Sequence, residues 1–471
     1  MIGGNCPAVL RPSPGNEATE VADLVVFAPT AAECYARGWL EDAARALRQK
    51  LAPEGLVYVV APPLRRLRLA RLFNDCDLSI DHAILHLPDP VSSRYLIPLT
   101  STPARYAVSN LLSLTFRKRL LAAVGLYLIG SSKLVQWLLP STCLLVRRRG
   151  ARPIFEWLFR LNSELDGCVL ITTSSRGKEG AVAVYCFSTR AKKPSAVAKI
   201  TMKPAETVMD EATAQRRLGA IARVAGAQIS EILSVTNLDG HSVLLQTALN
   251  GKSIGAFLAS RPDRLSEVLQ RLVTWLESWN EATRTTVGLD AEFLEREILV
   301  PARSVAPEID QGNEYRQWLE TACRAQAGIG IPMVTAHNDL TMWNLFLDAD
   351  DGLGVVDWES AREQDLPFVD FFYAVVDAVT IAGGFTERSN TLEACFVSGG
   401  VYESTVNQQL ARLRRVIGAP DDVIELCFHA CWVHHAANEL GAAKPSDPRP
   451  FLEIVQWLAL HRSRISGWLR G

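Results

Sequence analysis

Apolar runs and helical spacing near the start of the chain predict a strand, a helix and a second strand. Ala22 to Phe27 is a short apolar run typical of a buried parallel strand, and Trp39 to Gln49 carries apolar residues at helical spacing. We expect Leu51 to Gly55 to turn the chain into the second strand, Leu56 to Ala61. This pattern predicts a small, partial α/β segment over residues 21–110.

The most apolar stretch of the chain follows this segment and runs from Leu111 to Val146. Its longest run without a charged residue, Leu120 to Ser132, is thirteen residues long, whereas a helix that crosses a membrane needs about twenty. We therefore predict a buried helical connector over residues 111–150. Arginine and lysine residues flank the stretch, so contact with a membrane surface stays open as an alternative that we do not favour.

A second series of short strands predicts a new domain from about residue 155. The runs either alternate between apolar and polar residues or are wholly apolar, and polar turns separate them. A helix precedes the last strand. The predicted elements of this lobe, over residues 155–250, are the strands Val169–Thr172, Ala181–Ser188 and Ala196–Ile200, the helix Ala205–Ile221 and the strand Ser242–Thr247.

Helical spacing dominates the rest of the chain. Ile254 to about Gln326 is predicted to be helical, with Trp275 and Trp279 on one apolar face. Pro301 and Pro307 are expected to break this region into segments, because proline removes a helical hydrogen bond.

Two short apolar runs interrupt the helical pattern further on. Leu345 to Leu347 and Gly354 to Val356 are predicted to be strands, each beside a loop with polar side chains. The strand-rich lobe of residues 155–250 is followed by a mainly helical lobe, residues 251–471. This order predicts the α+β class.

Composition and charge restrict the class of protein. The chain has 471 residues, of which 48% are hydrophobic and 21% are charged, as in a globular protein. Its formal net charge of −2 gives no reason to expect nucleic acid as a partner, since that requires a clustered basic surface. Ten cysteines are scattered without paired spacing, and no secretory leader is evident, so we expect a reducing, cytoplasmic compartment. Residues 1–20, rich in glycine and proline, are expected to be a loose end.

The candidate chemistry is concentrated between Val334 and Tyr373. His337, Asp339 and Asn344 fall on one short loop, and Asp357 falls on the loop after the second short strand. Phosphoryl transfer between oxygens needs a carboxylate that orients the attacking hydroxyl, and oxygen ligands that hold Mg2+ against the triphosphate. Asp339 fits the first role, and Asn344 and Asp357 fit the second.

The spacing His-x-Asp-x4-Asn, followed by Asp-Trp-Glu, resembles the aminoglycoside phosphotransferase and choline kinase superfamily. That family usually has His-Gly-Asp where this chain has His337-Asn338-Asp339, which is nearer the choline kinase form. The resemblance implies a two-lobed, protein-kinase-like fold over residues 155–471. It also implies ATP and Mg2+ as cofactors, and a hydroxyl of a small molecule as the phosphate acceptor. The enzyme would be like an aminoglycoside phosphotransferase, with an enzyme like choline or ethanolamine kinase as the alternative, and the sequence leaves the identity of the acceptor open.

The same resemblance assigns nucleotide contacts in the first lobe. A Val-Ala-Lys element ends in Lys199, whose compact ammonium charge would reach the α and β phosphates. Glu211, on the helix that follows, would hold this lysine in place, with Asp210 and Glu206 as alternatives.

Main-chain groups and two further side chains complete the implied site. The backbone from Gln246 to Leu249, including that of Ala248, would hold the adenine whatever the side chains are. His337 would shape the catalytic loop rather than transfer protons. Asp370, at the start of a helix predicted over Val369 to Val379, would support the loop.

Three other patterns carry binding chemistry but favour a structural interpretation. Gly251-Lys252-Ser253 is not a P-loop, because Gln246 stands where that motif requires glycine. Two groups of histidine and cysteine lack the two separated ligand pairs of a structural zinc site. These groups are His82 with His86, and Cys427, His429 and Cys431 with His434 and His435.

Other function classes stay open. The helix and turn before Leu56 weakly resemble the later half of a class I S-adenosylmethionine methyltransferase, but no Gly-x-Gly turn follows the first strand. We therefore expect residues 21–110 to be a remnant that does not bind that cofactor. The remaining alternatives are a pseudokinase that acts as a binding or scaffold protein, and a membrane-associated assembly protein. The sequence leaves the oligomeric state open.

Overall fold

The computed structural model describes residues 8–9, 22–62, 65–87, 94–111, 142–153, 155–162, 165, 169–173, 181–238, 240–348, 350, 352–442 and 448–470. These residues form two compact units. The first comprises described residues from 8 to 209 and from 232 to 248, and the second comprises those of 210–231 and 249–470. Most of the predicted loose N-terminus and of the predicted helical connector, residues 112–141, lies outside the described residues.

Strands dominate the first half of the described chain and helices dominate the second half. The strands are β1 Ala8–Val9, β2 Ala22–Phe27, β3 Leu51–Ala61, β4 Leu78–Leu87, β5 Tyr95–Pro98, β6 Thr142–Arg148, β7 Val169–Thr173, β8 Val182–Cys186, β9 Ala196–Thr201, β10 Ala227–Ile229, β11 Ile232–Leu238, β12 His241–Thr247, β13 Lys252–Ser253, β14 Thr285–Gly288, β15 Gly330–Ala336, β16 Leu345–Leu347, β17 Leu353–Val355 and β18 Arg362–Asp365. The α-helices are α1 Arg37–Lys50, α2 Arg66–Asp75, α3 Ser101–Tyr106, α4 Glu156–Leu161, α5 Ala205–Val224, α6 Ile254–Ser260, α7 Leu265–Thr283, α8 Ala291–Leu294, α9 Val300–Val305, α10 Gly312–Gln326, α11 Val369–Gly383, α12 Arg388–Phe396, α13 Glu403–Ile417, α14 Asp421–Ala442 and α15 Pro450–Arg470.

The first unit is built on one mixed sheet with the strand order β1-β2-β3-β6-β4-β5-β7-β8-β9-β12-β11. In this sheet β5 pairs with β7, and Tyr95 lies opposite Thr172. The segment predicted at 21–110 and the lobe predicted at 155–250 therefore share a sheet, which differs from the predicted division into separate domains. Pairing between strands that are distant in the chain leaves no periodic signal in the sequence.

The predicted strand, helix and strand at the start of the chain are present, with one difference. β2 and β3 are parallel, and α1 packs its apolar face with them in a common core. Leu51 to Gly55, predicted to be a turn, is instead the first part of β3. Leu51 pairs with Ala22 and Leu56 pairs with Leu24, so the residues between them bulge out of the ladder.

The second unit is mainly helical, and the region predicted to be helical from Ile254 to Gln326 contains an unexpected strand. Thr285–Gly288, β14, pairs with β15. Its Thr-Thr-Val sequence explains the difference, because β-branched side chains favour strands. Pro301, which was predicted to break the helical region, does not interrupt a helix. It lies in the first turn of α9, where its missing N–H costs little.

The strand that leads to the candidate catalytic loop rests on buried tryptophans. The indole N–H of Trp279, on α7, donates to the carbonyl oxygen of Thr335, on β15, at 2.6 Å. Its ring packs edge to face with Trp358, with 5.7 Å between the centroids. These contacts fix the end of β15 immediately before His337.

No single helix among the described residues has the length and apolar composition needed to cross a membrane. One pair of consecutive helices, α11 and α12, meets both criteria together, with a bend of 107° between them.

The contacts of Trp279 predict that even a conservative substitution of this residue destabilises the folded protein. Trp279→Phe leaves the buried Thr335 carbonyl without its donor and opens a void, so we expect the free energy of unfolding to fall by about 2–4 kcal/mol. Chemical denaturation measures it. Trp457→Phe is the matched control, since this half-buried residue stacks on His461 and should change stability by less than about 1 kcal/mol. Equal losses in both variants would contradict the role given to Trp279.

Candidate active site

The loop between β15 and β16 is held by a buried carboxylate on α11. Asp370 accepts the backbone N–H of His337 at 2.7 Å with one oxygen and that of Asn338 at 2.8 Å with the other. Asn338 has a φ of 61°, the left-handed conformation that asparagine tolerates. This conformation directs two consecutive N–H groups to one carboxylate. Asp370 thus lies where the sequence predicted a supporting residue.

A second carboxylate of the same helix holds the other end of the loop. Asp377 accepts the backbone N–H of Met342 at 2.8 Å, and Arg388 lies 3.5 Å from its other oxygen. Burial raises the pKa of the Asp377 carboxyl. The sequence analysis did not identify Asp377. The sequence did contain an indication of this role. Asp377 lies seven positions after Asp370 in an apolar helix, and this spacing places both side chains on the same face of the helix.

His337 is a structural residue of the loop. Its side chain is fully buried, its ring nitrogen Nε2 lies 3.0 Å from the carbonyl oxygen of Val356, and its ring packs on Trp358. The carbonyl can only accept, so Nε2 carries the proton. Burial lowers the pKa of His337 to about 4, and the ring is therefore neutral at pH 7. The shaping role assigned to His337 stays a prediction.

Asp339 lies in the middle of the loop with its carboxylate against Asn344. The amide nitrogen Nδ2 of Asn344 donates to the Asp339 side chain at 3.0 Å and to its backbone carbonyl at 2.9 Å. The amide oxygen of Asn344 is thereby the atom that remains to ligate a cation. Burial raises the pKa of Asp339 to about 7, and the charge of Asp357 adds to the effect. A carboxylate with its pKa near neutrality is suited to accept a proton.

Asp357 meets two further carboxylates at the end of β17. It has a φ of 67°, a left-handed conformation that is uncommon for aspartate and that turns the chain sharply after the strand. Oxygens of Asp357, of Glu359 and of the buried Glu211 all lie within 4.8 Å of one another. Glu211 reaches this position because β10, which follows α5, pairs with β17. Three converging carboxylates fit a hard divalent cation such as Mg2+.

The predicted nucleotide contacts of the first unit lie on neighbouring strands. Lys199 is on β9, half-buried, and pairs with Leu244 of β12. Gln246 is also on β12. The backbone N–H of Ala248 donates to the carbonyl oxygen of Ser195 at 3.1 Å, and the predicted adenine contact of its backbone stays a prediction. An adenine contact there would use the carbonyl oxygen. The pairing of Lys199 with Glu211 stays a prediction.

The histidine and cysteine groups have structural environments. His82 and His86 lie on a strand, and His86 contacts the Tyr58 hydroxyl at 2.6 Å. In α14, His429 bonds to the hydroxyl of Tyr315 at 2.7 Å. Burial raises the pKa of the Cys427 and Cys431 thiols, which favours the protonated form that does not bind metal.

Besides Asp377, two polar residues around the loop were given no role in the sequence analysis. Asp365 accepts the side-chain N–H of Asn338 at 2.8 Å, and so helps to hold Asn338 in its left-handed conformation. Glu359 joins the carboxylate group as described above. Only Glu359 carried a signal, through its place in the Asp-Trp-Glu motif.

A comparison with protein families identifies this arrangement. Residues 178–397, which include Lys199, the catalytic loop and Asp357, match the model of the phosphotransferase enzyme family. This part of the chain is a phosphotransferase-family domain. Its fold is the mixed helix and strand fold of the kinase-like phosphotransferases, and the chain is an enzyme that transfers phosphate to hydroxyl groups. No curated protein matches the chain.

Several solved structures resemble the phosphotransferase domain. The GDP and kanamycin complex of APH(2")-IIia shares 12% identity with a TM-score of 0.42, over 66% of this chain and 98% of that chain. Choline kinase LicA from Streptococcus pneumoniae shares 12% identity with a TM-score of 0.38, over 67% and 98% of the chains. Macrolide 2'-phosphotransferase MphH from Brachybacterium faecium shares 13% identity with a TM-score of 0.37, over 65% and 97%.

The raised pKa of Asp339 predicts how stability depends on pH. The folded-state pKa, about 7, lies above the ordinary value of 3.8. The stabilising contribution is therefore complete below about pH 4 and is lost as the pH rises through 7. In EDTA, Asp339→Asn should have about the wild-type Tm at pH 4 and a higher Tm at pH 8. Asp310→Asn, an exposed control, should follow the wild type at both pH values. A Tm difference that does not depend on pH would contradict this prediction.

Proposed function

We propose that the phosphotransferase domain transfers the γ-phosphate of ATP to a hydroxyl of a small molecule. The observation that carries this proposal is the position of Asp339. Its carboxylate has a pKa near 7 and lies beside Asn344, close enough to the three-carboxylate group for the charge of Asp357 to raise that pKa. A proton acceptor next to a set of oxygen ligands is the arrangement that phosphoryl transfer to a hydroxyl requires.

Asp339 acts on the acceptor hydroxyl. Its carboxylate accepts a hydrogen bond from the hydroxyl and directs the oxygen toward the γ-phosphorus. A bond forms between that oxygen and the phosphorus, the bond from the phosphorus to the ADP oxygen breaks, and the proton passes to Asp339. Asn344 keeps the carboxylate in position through its amide nitrogen.

Asp357 and Asn344 would hold Mg2+, and Glu211 and Glu359, whose oxygens lie within 4.8 Å of an oxygen of Asp357, could supply further ligands. When bound, the metal neutralises charge on the phosphate oxygens. The repulsion among three carboxylates within 4.8 Å of one another supports this assignment, because a divalent cation offsets it.

The first unit supplies the nucleotide contacts. Lys199 provides a positive charge for the α and β phosphates. The carbonyl oxygen of Ala248 accepts a hydrogen bond from adenine, since its N–H is engaged with Ser195. The Gln246 backbone completes this part of the site.

Asp339→Asn separates catalysis from binding. Asparagine keeps the shape and the contact with Asn344 but cannot take a proton, so turnover should fall by about a hundredfold or more. The affinity for Mg-ATP, measured by titration calorimetry, should change by less than about threefold. The assay is ADP formation with an acceptor found by screening sugars, amino alcohols and aminoglycosides. Asp310→Asn is the surface control. If Asp339→Asn turned over at the wild-type rate, Asp339 would not be the residue that accepts the proton of the acceptor hydroxyl.

Asp357→Ala tests the metal site. Loss of a charged ligand should weaken Mg-ATP binding by about tenfold or more, whereas binding of ATP in EDTA should stay at the wild-type level. Asp350→Ala is a suitable control, because Asp350 is exposed on the turn between β16 and β17. If Asp357→Ala has the same Mg2+ dependence as the wild type, the metal ligands lie elsewhere.

A further inference from the structure

Met342 occupies the middle of the catalytic loop, three residues after Asp339 and two before Asn344. Both of its main-chain polar groups are bound from outside the loop. The N–H donates to Asp377 at 2.8 Å, and the carbonyl oxygen accepts from the Gly255 N–H at 2.7 Å. The side chain of Met342 is fully buried. The position of this residue therefore contributes to the spacing between the proposed base and the proposed metal ligand.

The contact with Gly255 depends on the absence of a side chain. Gly255 is the second residue of α6, and the N–H groups of a helix's first turn have no partner within the helix. A side-chain carbon at this position would lie 2.8 Å from two atoms of the Trp343 ring, closer than non-bonded carbon atoms approach. Glycine thus lets α6 come close enough for its free N–H to bind Met342.

The contact with Asp377 depends on an ion pair. Asp377 is 6% exposed, and the Arg388 guanidinium lies 3.5 Å from the carboxylate oxygen that does not bind Met342. Arg388 is the first residue of α12, and its guanidinium also lies over the Phe451 ring of α15, 4.8 Å from the centroid. Burial raises the pKa of Asp377, and the charge of Arg388 opposes that shift. Arg388 therefore favours the charged form of Asp377, which is the stronger acceptor for the Met342 N–H.

Arg388 and Asp377 are matched one to one. Among the described residues, Arg388 has no second anionic partner and Asp377 has no second cationic one. Removal of one member of such a pair leaves the other charge buried and uncompensated, which is costly, whereas replacement of both by neutral groups is often tolerated. In the same part of the chain, Arg388 forms no hydrogen bond or ion pair with Asp339 or Asn344.

We propose that Arg388 is a positioning residue for phosphoryl transfer. It holds the Asp377 carboxylate on the Met342 N–H. The fixed Met342 backbone in turn keeps the proposed base and the proposed metal ligand at the spacing that the transfer requires. This inference rests on the proposed function, from which the roles of Asp339 and Asn344 are taken.

Arg388→Gln separates turnover from binding in the full-length protein. Loss of the charge releases the Asp377 carboxylate, so kcat should fall by about tenfold or more, while the KM values for Mg-ATP and for the acceptor change by less than about threefold. The assay is ADP formation with the acceptor found by screening sugars, amino alcohols and aminoglycosides.

Arg412→Gln is the matched control. Arg412 is exposed to a similar extent and pairs with Glu277 at 3.0 Å, between α13 and α7. Arg412 contacts no residue of the catalytic loop among those that the structure describes. Its loss should therefore lower the Tm and leave kcat unchanged.

A double variant tests whether Arg388 acts through Asp377. In Asp377→Asn/Arg388→Gln neither charge is left unpaired, and the asparagine oxygen still accepts the Met342 N–H. This variant should turn over at least about threefold faster than Arg388→Gln or, where Arg388→Gln does not fold, should fold and turn over. A double variant that is no better than Arg388→Gln overturns the inference.

Hydrogen exchange tests the loop without an acceptor. In peptides that contain Met342, followed by mass spectrometry, exchange should be about tenfold faster in Arg388→Gln than in the wild type, because the Met342 N–H loses a fixed partner. Exchange in these peptides should be unchanged in Arg412→Gln. Equal exchange in Arg388→Gln and the wild type overturns the inference.

The outcomes separate this inference from the proposed function. Wild-type kcat in Arg388→Gln, on an acceptor that the enzyme phosphorylates, overturns the inference and leaves the proposed function standing. Absence of Mg-ATP binding by the wild type in titration calorimetry overturns the proposed function itself, and the exchange measurement then still tests whether Arg388 holds the loop.

Discussion

The catalytic loop keeps its conformation because two buried carboxylates of one helix hold its backbone. Asp370 binds the N–H groups at the start of the loop and Asp377 binds one near its end. A buried carboxylate is costly unless it is well hydrogen-bonded. Helix α11 therefore tolerates these residues only while the loop presents its N–H groups, and the loop keeps its left-handed residue Asn338 only while the carboxylates are in place. Each depends on the other.

The same region concentrates negative charge, and this conflicts with stability. Burial and the charge of Asp357 raise the pKa of Asp339, while Glu211, Glu359 and Asp357 converge within 4.8 Å. Close carboxylates repel one another, so this arrangement favours the binding of a cation. Groups of residues that lower the stability of a fold are expected at sites where function requires them. A bound divalent cation would relieve the repulsion and complete the catalytic site at once.

Residues close together in the chain could be predicted from the sequence, and residues brought together by the fold could not. The loop with Asp339 and Asn344, and the position of Asp357 after the second of the two short strands, follow from a pattern of loops and strands within some twenty residues. The supporting role of Asp377 depends on which face of α11 is buried. The shared sheet depends on the pairing of β5 with β7, and the engagement of the Ala248 N–H depends on β12 lying beside β9. None of these leaves a local pattern.

The helix that holds the loop also lines a cavity beside the loop. Asp370, Tyr373 and Asp377 are spaced by three and four residues, so they share one face of α11. Tyr373 stacks on His435 of α14, and the neighbouring His434 faces the same cavity. Residues that suggested a metal site in the sequence thus form a cavity wall next to the catalytic loop. One helix therefore carries both anchors of the catalytic loop and, between them, an aromatic residue that packs against α14, so the loop and the helical core of this unit are held by the same element.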